Sequence, residues 1–492
     1  MSSWSPISLG HKQASVYQLR GLALWSPDLS SRPRQGRQCI DPSQGPVQSS
    51  LGAGARQSMQ CLARRTLSRQ QRQGPAAHPT TWRSGGVRQL WRRAFESPAA
   101  RIGLGLAIGQ GAIFISTPWL TRLYGPEAFG VMTVGLAIAG ICATFGTLRV
   151  ELLIPRLDES ELANATRFSS LTLFAASLLG ALAMYLSTRA GLLESALVGA
   201  VTFFLGGAAI YQQSRIRRNA LGRIGSAKAA QGLGQVVAQG GFALVSPTGA
   251  GLVGGLVAGY GCAFALLRAP RPRPNGDGSV AAFGRQNLRQ MIRLTLSATL
   301  NSITVAFLPL LLSYQFGTEA TGQFSVVQRL ALVPVGLVLA ALSPVIIATV
   351  SARLRTGKPT SVVVKTWIRR LSIVGAVAGA ALVVVPQSWV AALLGAGFSA
   401  SHAYFAPLAP MIASQLVCGP LSTLLAIFRR DRLQLIWDAC RFAAVASVGV
   451  ALGAMSHDPI VTVLGISVVI TVFYVVYLVL LLRATRKSDT LT

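Results

Sequence analysis

Charge is what this sequence has least of. Only 12% of its 492 residues are Asp, Glu, Lys or Arg, whereas a domain whose surface is wetted by water carries roughly a quarter. With 51% hydrophobic residues, the chain needs another solvent, and lipid fits. Acids are scarcer still, 15 against 45 Lys and Arg, for a net charge of +30. A nucleic-acid footprint would be a basic patch on one folded face. Here the cations fall between apolar runs, so membrane topology explains them and nucleic acid is not expected as a partner. Cysteine is sparse and scattered: Cys39, Cys61, Cys142, Cys262, Cys418 and Cys440 form no CxxC pair, which excludes a disulfide-stapled module or zinc ribbon. His11, His78, His402 and His457 lie at no metal-ligand spacing. A GxxxxGK[ST] phosphate loop is missing too, so ATP does not power the chain, and neither metal nor cofactor is expected.

What is present divides sharply. Residues 1–98 are rich in Ser, Gln, Arg, Pro and Gly, with 14 Lys and Arg against Asp28, Asp41 and Glu96. Without sustained apolar periodicity this extension cannot offset the entropy of ordering, and disorder is expected. Its composition suits an organelle transit leader or a basic arm on an anionic leaflet. The preferred reading is a start assigned too far upstream.

From Arg101 onward, runs near the ~20 residues that cross a bilayer fall at 102–121, 128–148, 168–187, 192–213, 229–247, 250–267, 294–314, 325–349, 368–386, 403–427, 435–455 and 460–482, giving 12 candidate spans. The connections after even-numbered spans carry the cations, for example Arg149, Arg156 and Arg167, or Arg353, Arg355 and Lys358. Those after odd-numbered spans carry only Arg122 and Arg189. Lys and Arg stay on the cytoplasmic side, so both termini are expected there. The fold expected is an all-α polytopic membrane protein with two six-helix lobes, 99–267 and 293–487, joined by a cytoplasmic linker over 268–292.

The segment YGPEAFG, Tyr124 to Gly130, has a near copy in FGTEATG, Phe316 to Gly322. Both follow the first span of a lobe. Gly125 is expected to end one helix in the left-handed region, Pro126 to open the next, and Glu127 to face its positive N-terminus. Gly317, Thr318 and Glu319 repeat the pattern, with Thr318 as N-cap. Upstream, Gln110 precedes Pro118 by eight residues and Asn301 precedes Pro309 by eight. Paired, proline-interrupted helices at matching places in two halves point to a transporter's central cavity. An amide bridging neighbouring helices is the plainer alternative. Gly251, Gly255 and Gly259 are spaced for close helix packing.

Charges near lipid must point inward, pair or reach the surface. Asp438 and Arg441 are three apart and can neutralise each other. Arg149 and Glu151 read as an interfacial anchor and a solvated acid. Arg122 and Arg329 are the candidate cavity cations, because guanidinium binds phosphate oxygens through two parallel hydrogen bonds.

The stretch from Leu120 to Arg156 resembles the first hairpin of the polysaccharide or O-antigen flippases (Wzx-type) of the multidrug/oligosaccharidyl-lipid/polysaccharide exporter superfamily. Arg122, Pro126, Glu127, Phe129 and Gly130 match the turn, and Leu148, Arg149 and Glu151 match the end of the second helix. FGTEATGQFSVVQRLALVP, Phe316 to Pro334, resembles the family's second-half turn. The resemblance implies a V-shaped pair of lobes in a bacterial inner membrane that flips an isoprenoid-pyrophosphate-linked oligosaccharide outward. It makes the chain a transporter without catalytic motifs, working with membrane lipid, the lipid-linked substrate, and glycan polymerase and chain-length partners. It also implies a cationic central cavity, with Arg122 and Arg329 placed there by location. A cation-coupled drug exporter of the same superfamily would need an acid deep in a helix, and Asp438 comes nearest. A membrane glycan polymerase or transferase would need a polar outer domain, which the short connections do not supply. A peptidoglycan-precursor flippase shares the expected fold and stays open.

Overall fold

The apolar runs fold as helices that follow the expected spans one by one. The computed structural model describes residues 98–188, 191–268, 279–428 and 430–489, so the reading of 1–97 lies outside the described residues. The first lobe holds α1 (Pro98–Leu123), α2 (Pro126–Gly146), α3 (Glu159–Thr188), α4 (Leu192–Arg217), α5 (Leu221–Val245) and α6 (Gly249–Leu267). The second begins with α7 (Val280–Arg355), which breaks at Gly317 into two arms. It continues through α8 (Ser361–Val383), α9 (Gln387–Leu394), a 3-10 segment (Ala396–Tyr404), α10 (Phe405–Cys418), the short α11 (Leu424–Ile427), α12 (Asp431–Ser456) and α13 (Pro459–Asp489). Among the described residues there is no strand.

Ten of these helical stretches are long and apolar enough to cross a membrane. The 76-residue α7 supplies two spans on either side of Gly317. α5 has the length but carries Gln231, Gln235 and Gln239. Its Gln235 and Gln239 are buried against α6, where Gly255 and Gly259 let the helices meet. Polarity hidden inside the lobe explains how so hydrophilic a helix joins the bundle. Ile115, Leu244, Val245 and Tyr314 are each more than three-quarters exposed, an apolar coat suited to acyl chains.

The two repeated turns meet each other. A Cβ on Gly130 would collide with the Thr318 carbonyl, and one on Gly322 would collide with the Pro126 carbonyl. The seventh residue of each copy thus packs on the third residue of the other, a reciprocal contact of the kind a two-fold axis produces. Around this seam, Phe129 and Phe398 stand edge to face with ring centroids 5.5 Å apart. Gln323 donates to the Gly397 carbonyl at 2.8 Å and accepts from Ser401. This end of the molecule is called the turn end below, and the opposite end, where Arg149, Arg215 and Arg217 lie, the basic end.

The turn chemistry differs from expectation in one detail. Gly125 is extended, with φ −71° and ψ 167°, not left-handed, because Pro126 confines the residue before it to extended backbone. Thr318 imposes no such limit, and Gly317 takes φ 85°, where only glycine is unstrained. Just beyond this break the Thr321 hydroxyl donates to the Gly317 carbonyl at 2.9 Å. Residues 280–292, expected as linker, are helical as the start of α7. Phe283 and Met291 there are buried against Val150, Leu153 and Ala165 of the first lobe.

Candidate functional site

Where the lobes part, toward the basic end, they enclose a cavity of about 500 Å³. One wall is α2, from Thr133 to Ala143 and on to Thr147. The facing wall is the first arm of α7, with Asn301, Ser302, Val305 and Pro309, and Gln328 comes from the second arm. Pro309 has no N–H to give the Val305 carbonyl, and both residues line the space, so the helix break leaves backbone polarity where a polar cargo could use it. Thr144 Oγ1 and Ser302 Oγ reach across the lobes at 3.1 Å.

Arg149 and Glu151 are the charged groups among the described lining residues. Arg149 Nη1 donates to Glu151 Oε1 at 3.2 Å. The pair is incompletely satisfied: Arg149 Nε and Glu151 Oε2 are buried and have no hydrogen-bond partner in the protein, although Glu151 is only 5% exposed. Both side chains are presented by unusual backbone. Leu148 and Arg149 are left-handed, with φ 47° and 54°, and non-glycine residues there cost about 1–3 kcal/mol each. That strain ends α2 abruptly and opens the 3-10 turn Val150–Leu152, which carries Glu151 to the cavity. Reading this pair as an anchor and a solvated acid misplaces it. The usable signal was the pairing of a cation with one of only 15 acids in the chain, at the end of the helix that follows the turn.

Asn301 lines the cavity and is held from behind. Its Oδ1 accepts from Arg441 Nη2 at 3.2 Å, and the same nitrogen donates to Asp438 Oδ1 at 3.3 Å. Gln434 Nε2 donates to Asp438 Oδ2 at 3.2 Å, and the Arg441 guanidinium lies 4.5 Å from the Trp437 ring centroid. Asp438 is therefore neutralised within α12.

The other residues singled out in the sequence fall elsewhere. Gln110 lines a separate gap of about 240 Å³ between α1 and the second arm of α7. Arg122 is exposed at the turn end, where its Nη2 donates to the Ala392 carbonyl near the end of α9. It clasps the two lobes and lies outside the cavity. Arg329 does not line the cavity either. It is enclosed toward the turn end, with its guanidinium 5.9 Å from the Phe129 ring centroid and Nη2 3.9 Å from Met132 Sδ. Its Nη1 has no hydrogen-bond partner. Pro118 lies within α1. Glu127 and Glu319 are exposed beside the seam.

A family model described as polysaccharide biosynthesis protein matches residues 119–403. No curated protein matches the chain. Among solved structures, the lipid II flippase MurJ in an inward closed conformation superimposes with a TM-score of 0.62 at 11% identity, covering 78% of this chain and 90% of that one. An inward-facing multidrug resistance MATE family transporter of the MOP superfamily gives 0.57 at 12% identity, covering 82% and 99%. A MATE protein in complex with MaD5 gives 0.54 at 14% identity, covering 81% and 98%. At these identities the likeness is one of fold, that of the multi-pass MOP transporters. The family match spans both repeated turns, the Arg149–Glu151 hairpin and the α7 wall of the cavity, and the chain belongs to the polysaccharide biosynthesis protein family.

Proposed function

We propose that this protein flips an isoprenoid-pyrophosphate-linked oligosaccharide, a polysaccharide or O-antigen repeat unit, from the inner to the outer leaflet of a bacterial plasma membrane by alternating access. Both termini and the basic end face the cytoplasm in this reading. The observation that carries it is the cavity between the lobes, which offers one guanidinium among hydroxyls and amides and lies beyond a closed seam at the other end.

The chemistry fits such a cargo. A sugar head group and its pyrophosphate cannot cross hydrocarbon unaided, while the prenyl tail can stay in lipid. Arg149 would take phosphate oxygens through its fork, and Asn301, Ser302, Thr144 and Gln328 would meet sugar hydroxyls. Arg329, enclosed behind the seam, would reach the cargo once the seam parts. Arg122 would hold the seam shut and not touch the cargo. Gln110 would line a lateral gap, with Pro118 and Pro309 interrupting the two helices that border the pathway. No covalent bond changes in this step. Glycan polymerase and chain-length proteins would act on the delivered unit. A drug exporter driven through Asp438 is disfavoured because Arg441 already neutralises that carboxylate.

Deletion of the gene, followed by analysis of lipid-linked glycans, tests the reading. Completed repeat units should accumulate on their carrier at the inner leaflet, and an Arg149→Ala copy should fail to relieve the accumulation. Normal glycans with lost drug resistance would replace this reading with the exporter.

A further inference from the structure

Asn301 shows the cavity one end of its amide only. A guanidinium is all donor and no acceptor, so the Asn301 atom 3.2 Å from Arg441 Nη2 has to be the carbonyl oxygen Oδ1. The NH2 group is therefore turned away from Arg441. Asn301 is exposed where it lines the cavity, and its Nδ2 has no partner among the described residues. Both amide N–H groups are left to face whatever enters.

The lock on this orientation lies outside the space, since neither Arg441 nor Asp438 lines it. The same Arg441 nitrogen donates to Asp438 Oδ1 at 3.3 Å, and Asp438 Oδ2 accepts from Gln434 Nε2 at 3.2 Å. The guanidinium also lies 4.5 Å from the centroid of the Trp437 ring, whose indole N–H is held by the Phe473 carbonyl at 3.0 Å. Each of these partners limits how the guanidinium can turn. A flip of the Asn301 amide would set N–H against N–H with no acceptor between them. Gln328, the other amide lining the cavity, makes no hydrogen bond among the described residues and can offer either end. Asn301 also sits where the lobes touch across the space: the next residue, Ser302, meets Thr144 at 3.1 Å, and Thr144 lies one helical turn before Leu148 and Arg149.

We propose that Arg441 is a positioning residue that fixes Asn301 as a one-way N–H donor, so that the cargo must set an acceptor oxygen against it, from the pyrophosphate or from the sugar beside it. The inference rests on the flippase reading above and adds which kind of head-group atom is recognised at Asn301. An oxygen that only accepts, such as a phosphoryl oxygen, a carboxylate or an acetamido carbonyl, meets these N–H groups without loss. A hydroxyl placed there has to send its own proton elsewhere. Holding the amide in advance also removes ordering that binding would otherwise cost.

Binding of two ligands to the full chain in detergent tests this: a prenyl pyrophosphate, and the same lipid carrying one N-acetylhexosamine. Asn301→Leu removes the donor at similar volume, at a position open to the cavity, and should weaken binding by about tenfold, as loss of a hydrogen bond to a charged or strongly accepting oxygen does. Loss with both ligands assigns the acceptor to the pyrophosphate, and loss with the glycosylated lipid alone assigns it to the sugar. Asp438→Asn combined with Arg441→Gln removes the lock without leaving a lone charge, because a glutamine amide can turn either end to Asn301. It should weaken binding by about three- to tenfold, the cost of ordering one side chain on association, and should have no further effect in the Asn301→Leu background. A role in stability alone would not produce that coupling. Should this double variant fail to fold, Arg441→Lys keeps the test: any effect it has on affinity should vanish once Asn301 is replaced by Leu. Unchanged affinity of Asn301→Leu for both ligands, or an effect of the Asp438 and Arg441 changes that persists in the Asn301→Leu background, would overturn the inference while leaving the flippase reading standing. Absence of binding of either ligand by wild type would overturn both.

Discussion

The turn end and the basic end of this molecule are built from opposite materials. At the turn end, backbone meets backbone: Gly130 and Gly322 touch the carbonyls of the opposing copy, and Leu120, Phe129, Phe324, Leu394 and Phe398 bury themselves in one core that crosses the lobes. Toward the basic end the same two lobes stand apart around about 500 Å³ lined in part by polar and charged groups, some incompletely satisfied, with an apolar contact of Phe283 and Met291 on Val150, Leu153 and Ala165 beside it. A dry seam of close-packed glycine is an all-or-none contact, because packed interfaces switch between discrete arrangements and do not deform gradually. A polar cavity tolerates exchange of partners. In the flippase reading proposed above, the closing role falls to one end and the recognising role to the other.

The largest effect should come from filling the seam. Gly130→Leu or Gly322→Leu places a side chain where a backbone carbonyl already sits, and export should fall by at least about tenfold because the turn end cannot close; rigid cores accept overpacking only with backbone shifts. Gly125→Leu is the comparison, since nothing lies within 4 Å of a Cβ there, and export should be near normal. Lipid-linked glycan levels in membranes, normalised to protein, decide between them. Equal export in all three variants would dissolve the contrast between the two ends.

A smaller effect is expected behind the cavity. Arg441→Met leaves the partly buried Asp438 without its cation, and the loss should stay below the cost of about 3–5 kcal/mol for breaking a fully buried pair. Adding Asp438→Asn should recover much of that loss, as the two sites are coupled. Thermal unfolding in detergent reads both variants. Additive losses would mean that the pair holds no common role in supporting Asn301.

The smallest effect lies at the rim of the basic end. Asp489 accepts from the Thr360 N–H at 2.7 Å, the Thr360 hydroxyl at 3.0 Å and the Ser361 N–H at 3.0 Å, tying the end of α13 to the start of α8. Burial pushes its carboxyl up, but these hydrogen bonds outweigh burial and hold it below the ordinary aspartate value. A depressed folded pKa contributes stability that is fully present above the unfolded value of about 3.9 and is lost as pH falls through the folded one. Wild type should therefore lose more Tm than Asp489→Asn between pH 7 and pH 3, with the difference confined below about pH 4. Parallel curves would show that the tie carries no titrating stability.

Much of the architecture was legible in the sequence, because apolar length and the alternation of arginine are one-dimensional signals. The doubled turn was visible as a repeat, and Asn301 stood out as an amide eight residues before Pro309, as Gln110 is before Pro118. What could not be read was which surfaces meet. Nothing in the sequence shows that Gly130 faces Thr318 and Gly322 faces Pro126, since that depends on two lobes closing on each other. Arg122 was misplaced because a guanidinium at a span end looks the same whether it faces a cavity or caps the helix end at Ala392. Arg149 and Glu151 were underrated for a related reason. Their entry into the cavity depends on left-handed backbone at Leu148 and Arg149, where no glycine or asparagine announces it.

The central claim is that the cavity opens toward the basic end while the glycine seam shuts it off from the turn end. Val305→Cys, in a chain with its other cysteines replaced, places a thiol on the cavity wall at a position 69% exposed. An impermeant thiol reagent applied to vesicles of either orientation, without cargo, should label it at least about tenfold faster from the basic side, consistent with a dry packed seam excluding water-borne reagent. Gly130→Leu should raise labelling from the turn side. Equal labelling from both sides of the unmodified seam, or faster labelling from the turn side, would contradict the account.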